Sequence, residues 1–449
     1  MARPDRVYVT IAAVGAFVST LAFTITPFYR FQVAGLDNFE LVLAGTVMEA
    51  AVFCFEIPTG VVADQWSRKW SVIVGHLGIG VGLLIEASVP SVAGVLSGQI
   101  VWGIAYTFTS GATVAWLTAE LEEPDRVALT RLFLRASRFG SGAALVAVPL
   151  AFLLGGWSLR LPIVIAGVIS VVLGVWLMTA MSEHHFEPAS DHATWRGLAH
   201  TAGEGVRAIR SSRVLVMVAV AIFLAGGASE VYDRYNEKYL LVDIGPPAWP
   251  GWSGLTWMAV IGCLSAALGV VVPWWFQRRH GHLDEPAQRR WIVWLVVVQV
   301  AGLLTMAATG SFVLAAAATL LIDRVRSLRS GLLAAWIVPL TPKRNRATVL
   351  STLEQTDSIG QVTLSPALGV IGQAAGISAA LAASAALLAP SAIAVRRAGV
   401  ALPVRAHRAG LRRLRPAGRV GPADGRRPAA GPGSGGVGTD DPAERALDP

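Results

Sequence analysis

Four groups of polar or ionisable side chains fall inside otherwise apolar stretches of this sequence. Glu49 and Glu56 lie seven residues apart, so a helix puts them on one face. Gln99, Gly103, Tyr106, Ser110 and Thr113 follow one another at 4-3-4-3 spacing, a single helical stripe of polar and small residues. Glu230, Asp233 and Arg234 close a third apolar run. Asp323, Arg326 and Ser330 make a 3-4 stripe in a fourth run, with Asp323 and Arg326 able to pair within the helix and Arg324 and Arg329 pointing elsewhere. A charge at the centre of a bilayer costs roughly 2.5–3.5 kcal/mol on insertion scales, so such groups line a cavity or pair. A carboxylate in a dry site can hold a proton or receive a cationic substrate. Glu49 can also serve as a plain interhelical hydrogen bond. The stripe through Gly103 can line water or pack closely on a neighbour. The group at 230–234 can gate a mouth or end a solvated helix.

The elements that carry these groups are long apolar runs. The chain has 449 residues, 54% hydrophobic and 15% charged, with mean hydropathy +0.56. A soluble domain carries more charge. Twelve runs of bilayer-crossing length are read, the first over 7–29 and the last over 377–395, with the tenth, 311–340, holding the most charge. Cys54 and Cys263 both lie within apolar runs and suit helix packing rather than a disulfide. The isoelectric point near 10.1 does not indicate nucleic acid, because residues 397–449 alone hold ten arginines against five acids. No phosphate-binding loop pattern occurs, so no nucleotide or other cofactor is expected and an ion gradient is the expected energy source.

Two runs, 39–62 and 70–89, are joined by a charged elbow at residues 60–69. Asp64 and Arg68 are four apart and can pair on one turn, and Gly60 lies one turn earlier. Gly60, Asp64, Arg68 and Lys69 resemble the loop between helices 2 and 3 of the major facilitator superfamily, with Gln65 and Ser67 departing from its pattern. The flank Glu56-Ile57-Pro58-Thr59-Gly60 is similar to the multidrug and tetracycline efflux members. The resemblance covers about residues 5–396. It implies an all-α integral membrane protein of twelve helices in two six-helix bundles, working by alternating access, with a small molecule as substrate and protons as coupling ion. Two departures stand out. Gln99 occupies the place where related efflux pumps carry an arginine four residues before a glycine. Pro149 and Gly155-Gly156 do not follow the Gly-Pro…Gly-Gly order of the antiporters.

The expected organisation is an N-terminal bundle at 1–181, a polar linker at 182–211, a C-terminal bundle at 212–396 and a disordered basic tail at 397–449. The heptapeptide beginning at Gly60 recurs, without its aspartate, from Gly269 at the matching place in the second half. With both termini in the cytoplasm, the cytoplasmic loops hold fifteen basic residues, against four on the outer side, Arg30, Arg160, Arg234 and Lys238. Glu354 and Asp357 fall near the start of the eleventh run and are expected to meet the elbow. The linker histidines His184, His185, His192 and His200 lack metal-ligand spacing and read as a solvated loop. The functional expectation is a monomeric cell-membrane transporter whose export of an amphipathic, drug-like molecule is driven by protons. An uptake permease for a small polar or anionic metabolite is one alternative, and a membrane-embedded lipid-linked transferase is another.

Overall fold

The computed structural model describes residues 3–121, 126–186, 195–280, 283–341 and 346–398, all within one compact unit, 1–401. His192, Lys343, Arg344 and nearly all of the expected tail lie outside the described residues, as does the side chain of His200. The described chain is helical: α1 Pro4–Gln32, α2 Asn38–Gln65, α3 Arg68–Ser88, α4 Val92–Ser110, α5 Ala112–Glu120, α6 Arg126–Trp157, α7 Arg160–Ala180, α8 Trp195–Ser211, α9 Arg213–Lys238, α10 Gly254–His280, α11 Glu285–Ala308, α12 Phe312–Leu340, α13 Arg346–Ala375 and α14 Ile377–Ala398. A π-helical segment, Tyr239–Ile244, prolongs α9.

Local sequence explains where the helices start. Asp37 and Glu40 form a reciprocal capping box at α2, with the Glu40 N–H 2.8 Å from Asp37 Oδ1 and the Asp37 N–H 2.9 Å from Glu40 Oε2. Ser67, Ser91, Ser212, Asp284 and Ser311 cap α3, α4, α9, α11 and α12 through their side chains. Prolines fall inside several helices, among them Pro58 in α2 and Pro273 in α10. Membrane helices tolerate these because neighbouring groups re-satisfy the freed carbonyls.

Among the described residues, ten helical segments are long and apolar enough to cross a membrane, α4 and α5 counting as one. The two long helices that fall short, α12 and α13, are the ones carrying Asp323, Arg324, Arg326 and Arg329, and Glu354 and Asp357. Large apolar side chains such as Val172 on α7 and Val270 on α10 point outward, as lipid-facing residues do.

Packing repeats between the two halves. In the first, α1 packs on α6 and α7, α3 on α4 and α7, and α2 on α4. In the second, α9 packs on α13 and α14, α11 on α12 and α14, and α10 on α12. Across the halves the matching pairs are α2 with α13 and α6 with α10, the latter more sparsely packed. Close approach is set by glycine where it matters: a Cβ on Gly82 of α3 would lie 2.8 Å from the Gly98 carbonyl oxygen of α4, and the reverse holds at 2.8 Å.

Several sequence readings are corrected here. The polar stretch 182–211 is not all loop: from Trp195 it is α8, whose Ile209 is buried and whose Gly205 lies against Thr348 and Thr352 of α13. The elbow is almost wholly helical, with only Trp66 and Ser67 between α2 and α3, and its second copy forms the last turns of α10. Cys54 and Cys263 are unpaired and exposed rather than packed.

Candidate functional site

A cavity of about 800 Å³ lies between the halves. Its walls are Met48, Val52, Trp102 and Tyr106 from the first half and Ile222 and Leu333 from the second. Tyr106 stacks on Trp102 with ring centroids 5.3 Å apart. The cavity reaches Glu56, Leu350 and Val395, toward the elbow end of the bundle. At the other end the halves are tied together. Asn38 Nδ2 donates to the Gly372 carbonyl at 3.0 Å, Lys238 Nζ donates to Asn38 Oδ1 at 2.7 Å, and Tyr235 Oη donates to the Asn38 carbonyl at 2.6 Å.

The polar head of the cavity merges with a second space of about 470 Å³ lined by Glu49, Glu230, Asp233, Arg326, Arg329 and Asp357. Each of these is held. Ser358 of α13 donates to Glu49 of α2 at 3.3 Å, a hydrogen bond that crosses the halves. Arg326 makes a two-pronged ion pair with Asp233 and lies over the Tyr232 ring. Arg234 pairs with Glu230 at 2.9 Å, and Gly45 on α2 leaves the room that this pair fills. Gln361 donates to Asp357 at 2.8 Å. Arg329 donates to the Gln299 side-chain oxygen at 2.7 Å. Lower down, Ser110 donates to Glu56 at 3.0 Å.

Glu49, Glu56, Tyr106, Ser110, Glu230, Asp233 and Arg326 therefore come together at one cavity. The polar stripe on α4 divides: Tyr106 and Ser110 face the cavity, whereas Gly103 packs on Met48 and Ala51. Gln99 is fully buried elsewhere and donates to Glu86 at 2.7 Å. Glu86 in turn takes two hydrogen bonds from Arg30, at 2.7 and 3.2 Å. Arg30 is thus no loop residue, and Gln99 serves a buried charge pair.

The pairing on α9 and α12 also differs from expectation. Arg234 takes Glu230, one turn away on its own face, because successive residues point about 100° apart and leave Asp233 to face α12. Arg326 then reaches Asp233 rather than Asp323. Asp323 lies outside the central cavity, accepting from Tyr232 at 2.8 Å and Ser265 at 3.0 Å. Arg329, expected to point elsewhere, lines the cavity instead.

Glu354 and Asp357 face the cavity and not the elbow. They sit eight and eleven residues into α13, roughly 12 and 16 Å along it. At the elbow Asp64 pairs with Arg68 at 3.2 Å, Arg68 donates to the Ala115 carbonyl at 3.4 Å, and Ser67 and the Lys69 N–H both donate to Glu183. These partners belong to the first half and, in Glu183, to the start of the stretch that follows it.

Sequence reasoning missed Arg329, Ser358, Gln361 and the pair Arg30–Glu86. The available signal for Gln361 was its four-residue spacing from Asp357, which gives a hydrogen bond on one face.

A bundle of long apolar helices around a central cavity with a charged head is the architecture of a membrane transport protein. Residues 7–332 match the Major Facilitator Superfamily, and the chain belongs to that family. It is a transporter and not an enzyme, and its setting is the lipid bilayer. A relative, the uncharacterized MFS-type transporter YxaM of Bacillus subtilis (strain 168), is 22% identical over 216 residues, 45% of this chain and 51% of that one. The match thus spans about half the length of this curated relative. Among solved structures, the nucleoside transporter NupG is similar with a TM-score of 0.71 at 14% identity, covering 89% of this chain and 100% of that one. A POT family transporter in complex with 5-aminolevulinic acid gives 0.67 at 12% identity, covering 88% and 96%. A bacterial homolog of the human lysosomal transporter Spinster, in an inward-facing and occupied conformation, gives 0.66 at 11% identity, covering 88% and 96%. These likenesses establish the major facilitator fold.

Proposed function

We propose that this transporter works as a monomer in the cell membrane, by alternating access, and exports an amphipathic small molecule in exchange for protons. Both termini lie in the cytoplasm on this reading, so the cavity faces the cytoplasm. The carrying observation is the cavity itself: about 800 Å³, walled by Met48, Val52, Trp102, Tyr106 and Leu333, with Glu49, Arg329 and Asp357 at its head. That volume suits a drug-sized ligand. The apolar body of the substrate rests on the aromatic wall and its polar group meets the charged head. Tetracycline- or macrolide-like compounds are the first candidates, by the resemblance of residues 56–60 to the efflux members.

On this reading Glu49 reports occupancy to both halves, since its hydrogen-bond partner Ser358 belongs to the other half. The pairs Glu230–Arg234 and Asp233–Arg326 hold the head of the site, and Asp323 supports it from behind through Tyr232. Gly60, Asp64, Arg68 and Lys69 keep α2 and α3 moving as one piece. When the elbow end closes, Asp64 takes a further partner from the start of α13.

A second reading, uptake of a small polar or anionic metabolite, draws support from Arg329. Its hydrogen bond goes to a neutral glutamine, so it has charge to offer an anion. The likeness to a nucleoside transporter is compatible with that reading.

Accumulation of a fluorescent amphipathic drug, in cells with and without the protein, tests the proposal. Lower accumulation that an uncoupler abolishes, and that Glu49→Gln removes, supports proton-driven export. Equal accumulation, with the protein confirmed in the membrane, refutes export of that class and leaves uptake.

A further inference from the structure

The sparse seam between α6 and α10 leaves a separate cavity of about 330 Å³. It lies toward the end of the bundle opposite the elbow. Phe28, Phe152, Met258 and Ile261 form its apolar lining. Into this lining project Glu237 of α9 and Asp323 and Arg324 of α12. The two acids are held differently. Asp323 accepts from Tyr232 and Ser265 and lies 3.9 Å from Arg324. Glu237 Oε2 is shielded from solvent and has no hydrogen-bond partner among the described residues. An ionised carboxylate left so would be costly to bury. A carboxylic acid pays a much smaller desolvation cost.

Glu237 is one helical turn beyond Asp233, whose ion pair with Arg326 forms the head of the central cavity. A polar seam between α9 and α12 runs the same way. Tyr232 Oη lies 3.1 Å from the Thr319 carbonyl, and Thr319 donates to Asn236 at 2.8 Å. The two cavities are therefore neighbours along α9, with the Asp233–Arg326 pair between them. The charged groups around Glu237 are Asp233 and Arg234 on its own helix and Asp323 and Arg324 on α12. The residues of α1, α6 and α10 that line this cavity carry no charge.

We propose that Glu237 is the carrier of the coupling proton, in a compartment separate from the substrate. A proton from the side opposite the elbow binds Glu237. It passes to the Asp233 carboxylate, which releases Arg326, and Glu237 is left as carboxylate. Arg326 then offers its charge to the central cavity. Loss of the proton from Asp233 to the water of the elbow side re-forms the pair seen here. Substrate and proton need not share a residue.

The inference rests on the proton-coupled reading above, but its test needs no substrate. The protein is reconstituted in lipid and titrated with pH while the carbonyl band of protonated carboxyl groups is followed by infrared difference spectroscopy, with deuterium exchange as a check. One such band is expected to vanish in Glu237→Gln and to move, without vanishing, in Glu237→Asp. It should persist in Glu49→Gln. A band insensitive to both Glu237 variants, or one lost in Glu49→Gln and kept in Glu237→Gln, overturns the proposal. Displacement of the band by sodium at constant pH also overturns it, by assigning the carboxylate to an alkali cation. If drug export fails while the band behaves as stated, the substrate reading falls and the proton site stands.

Discussion

The pair Arg30–Glu86 offers the sharpest test of the packing argument. Its side chains are 2% and 1% exposed. Glu86 satisfies Arg30 Nε and Nη2 and Gln99 Nε2 together. Glu86→Leu therefore orphans three donors, two of them on a buried cation. Breaking a buried pair by removing one partner costs about 3–5 kcal/mol. That is roughly two to three and a half powers of ten in the folding equilibrium. Removing both charges, as Arg30→Leu with Glu86→Leu, leaves only Gln99 unsatisfied, at about 1–3 kcal/mol for a lone buried polar group. Adding Gln99→Leu brings the triple variant to within about 1.5 kcal/mol of the parent, because well-packed apolar replacements of buried ions are often neutral. The assay is equilibrium unfolding in mixed micelles, followed by tryptophan fluorescence, on all three variants. The reasoning fails if the single substitution costs less than the triple one, or if the costs simply add.

Further substitutions probe the gates and the site. Asn38→Ala removes two side-chain bonds across the halves, to Gly372 and Lys238. A loss of about 1–3 kcal/mol should populate the state open at that end, seen as faster labelling of a cysteine placed in the head of the cavity; unchanged labelling sinks the idea that these bonds hold the closure. Gly45→Val puts a side chain where Glu230 and Arg234 meet, so transport should be lost in a protein that still inserts and folds; normal transport would show that the pair is dispensable. Asp64 is 47% exposed in its pair with Arg68, so Asp64→Asn should change stability by under about 1 kcal/mol yet slow transport strongly. Normal rates in well-expressed Asp64→Asn protein would remove the elbow from the mechanism.

The fold was legible because its signal is one-dimensional. Apolar runs of bilayer length need no partner to be recognised, and serine or aspartate caps mark where α2, α3, α9 and α11 begin. What stayed hidden is what depends on a neighbour. Glu86 lies three residues from the end of an apolar run, where the sequence permits a headgroup location, and only the packing of α3 on α4 sets it against Gln99. The partner of Asp233 was equally out of reach, because Arg234 beside it and Arg326 on another helix are both plausible cations and only the interhelical geometry chooses.

The charges of α12 show how the site reading went partly astray. At about 100° per residue, Arg326, Arg329 and Ser330 fall within one arc roughly 100° wide, and all three meet the central cavity. Asp323 and Arg324 occupy the adjoining arc and meet the second cavity. The stripe Asp323–Arg326–Ser330 straddles the boundary between these arcs. A reading that assumes one polar face centres the stripe there and discards Arg329. The helix has two polar faces because it packs between two cavities, and that number is a property of the neighbours, α6 and α10 standing apart, and not of α12. A charge-rich membrane helix with more than one stripe is therefore best read as a wall shared by two compartments.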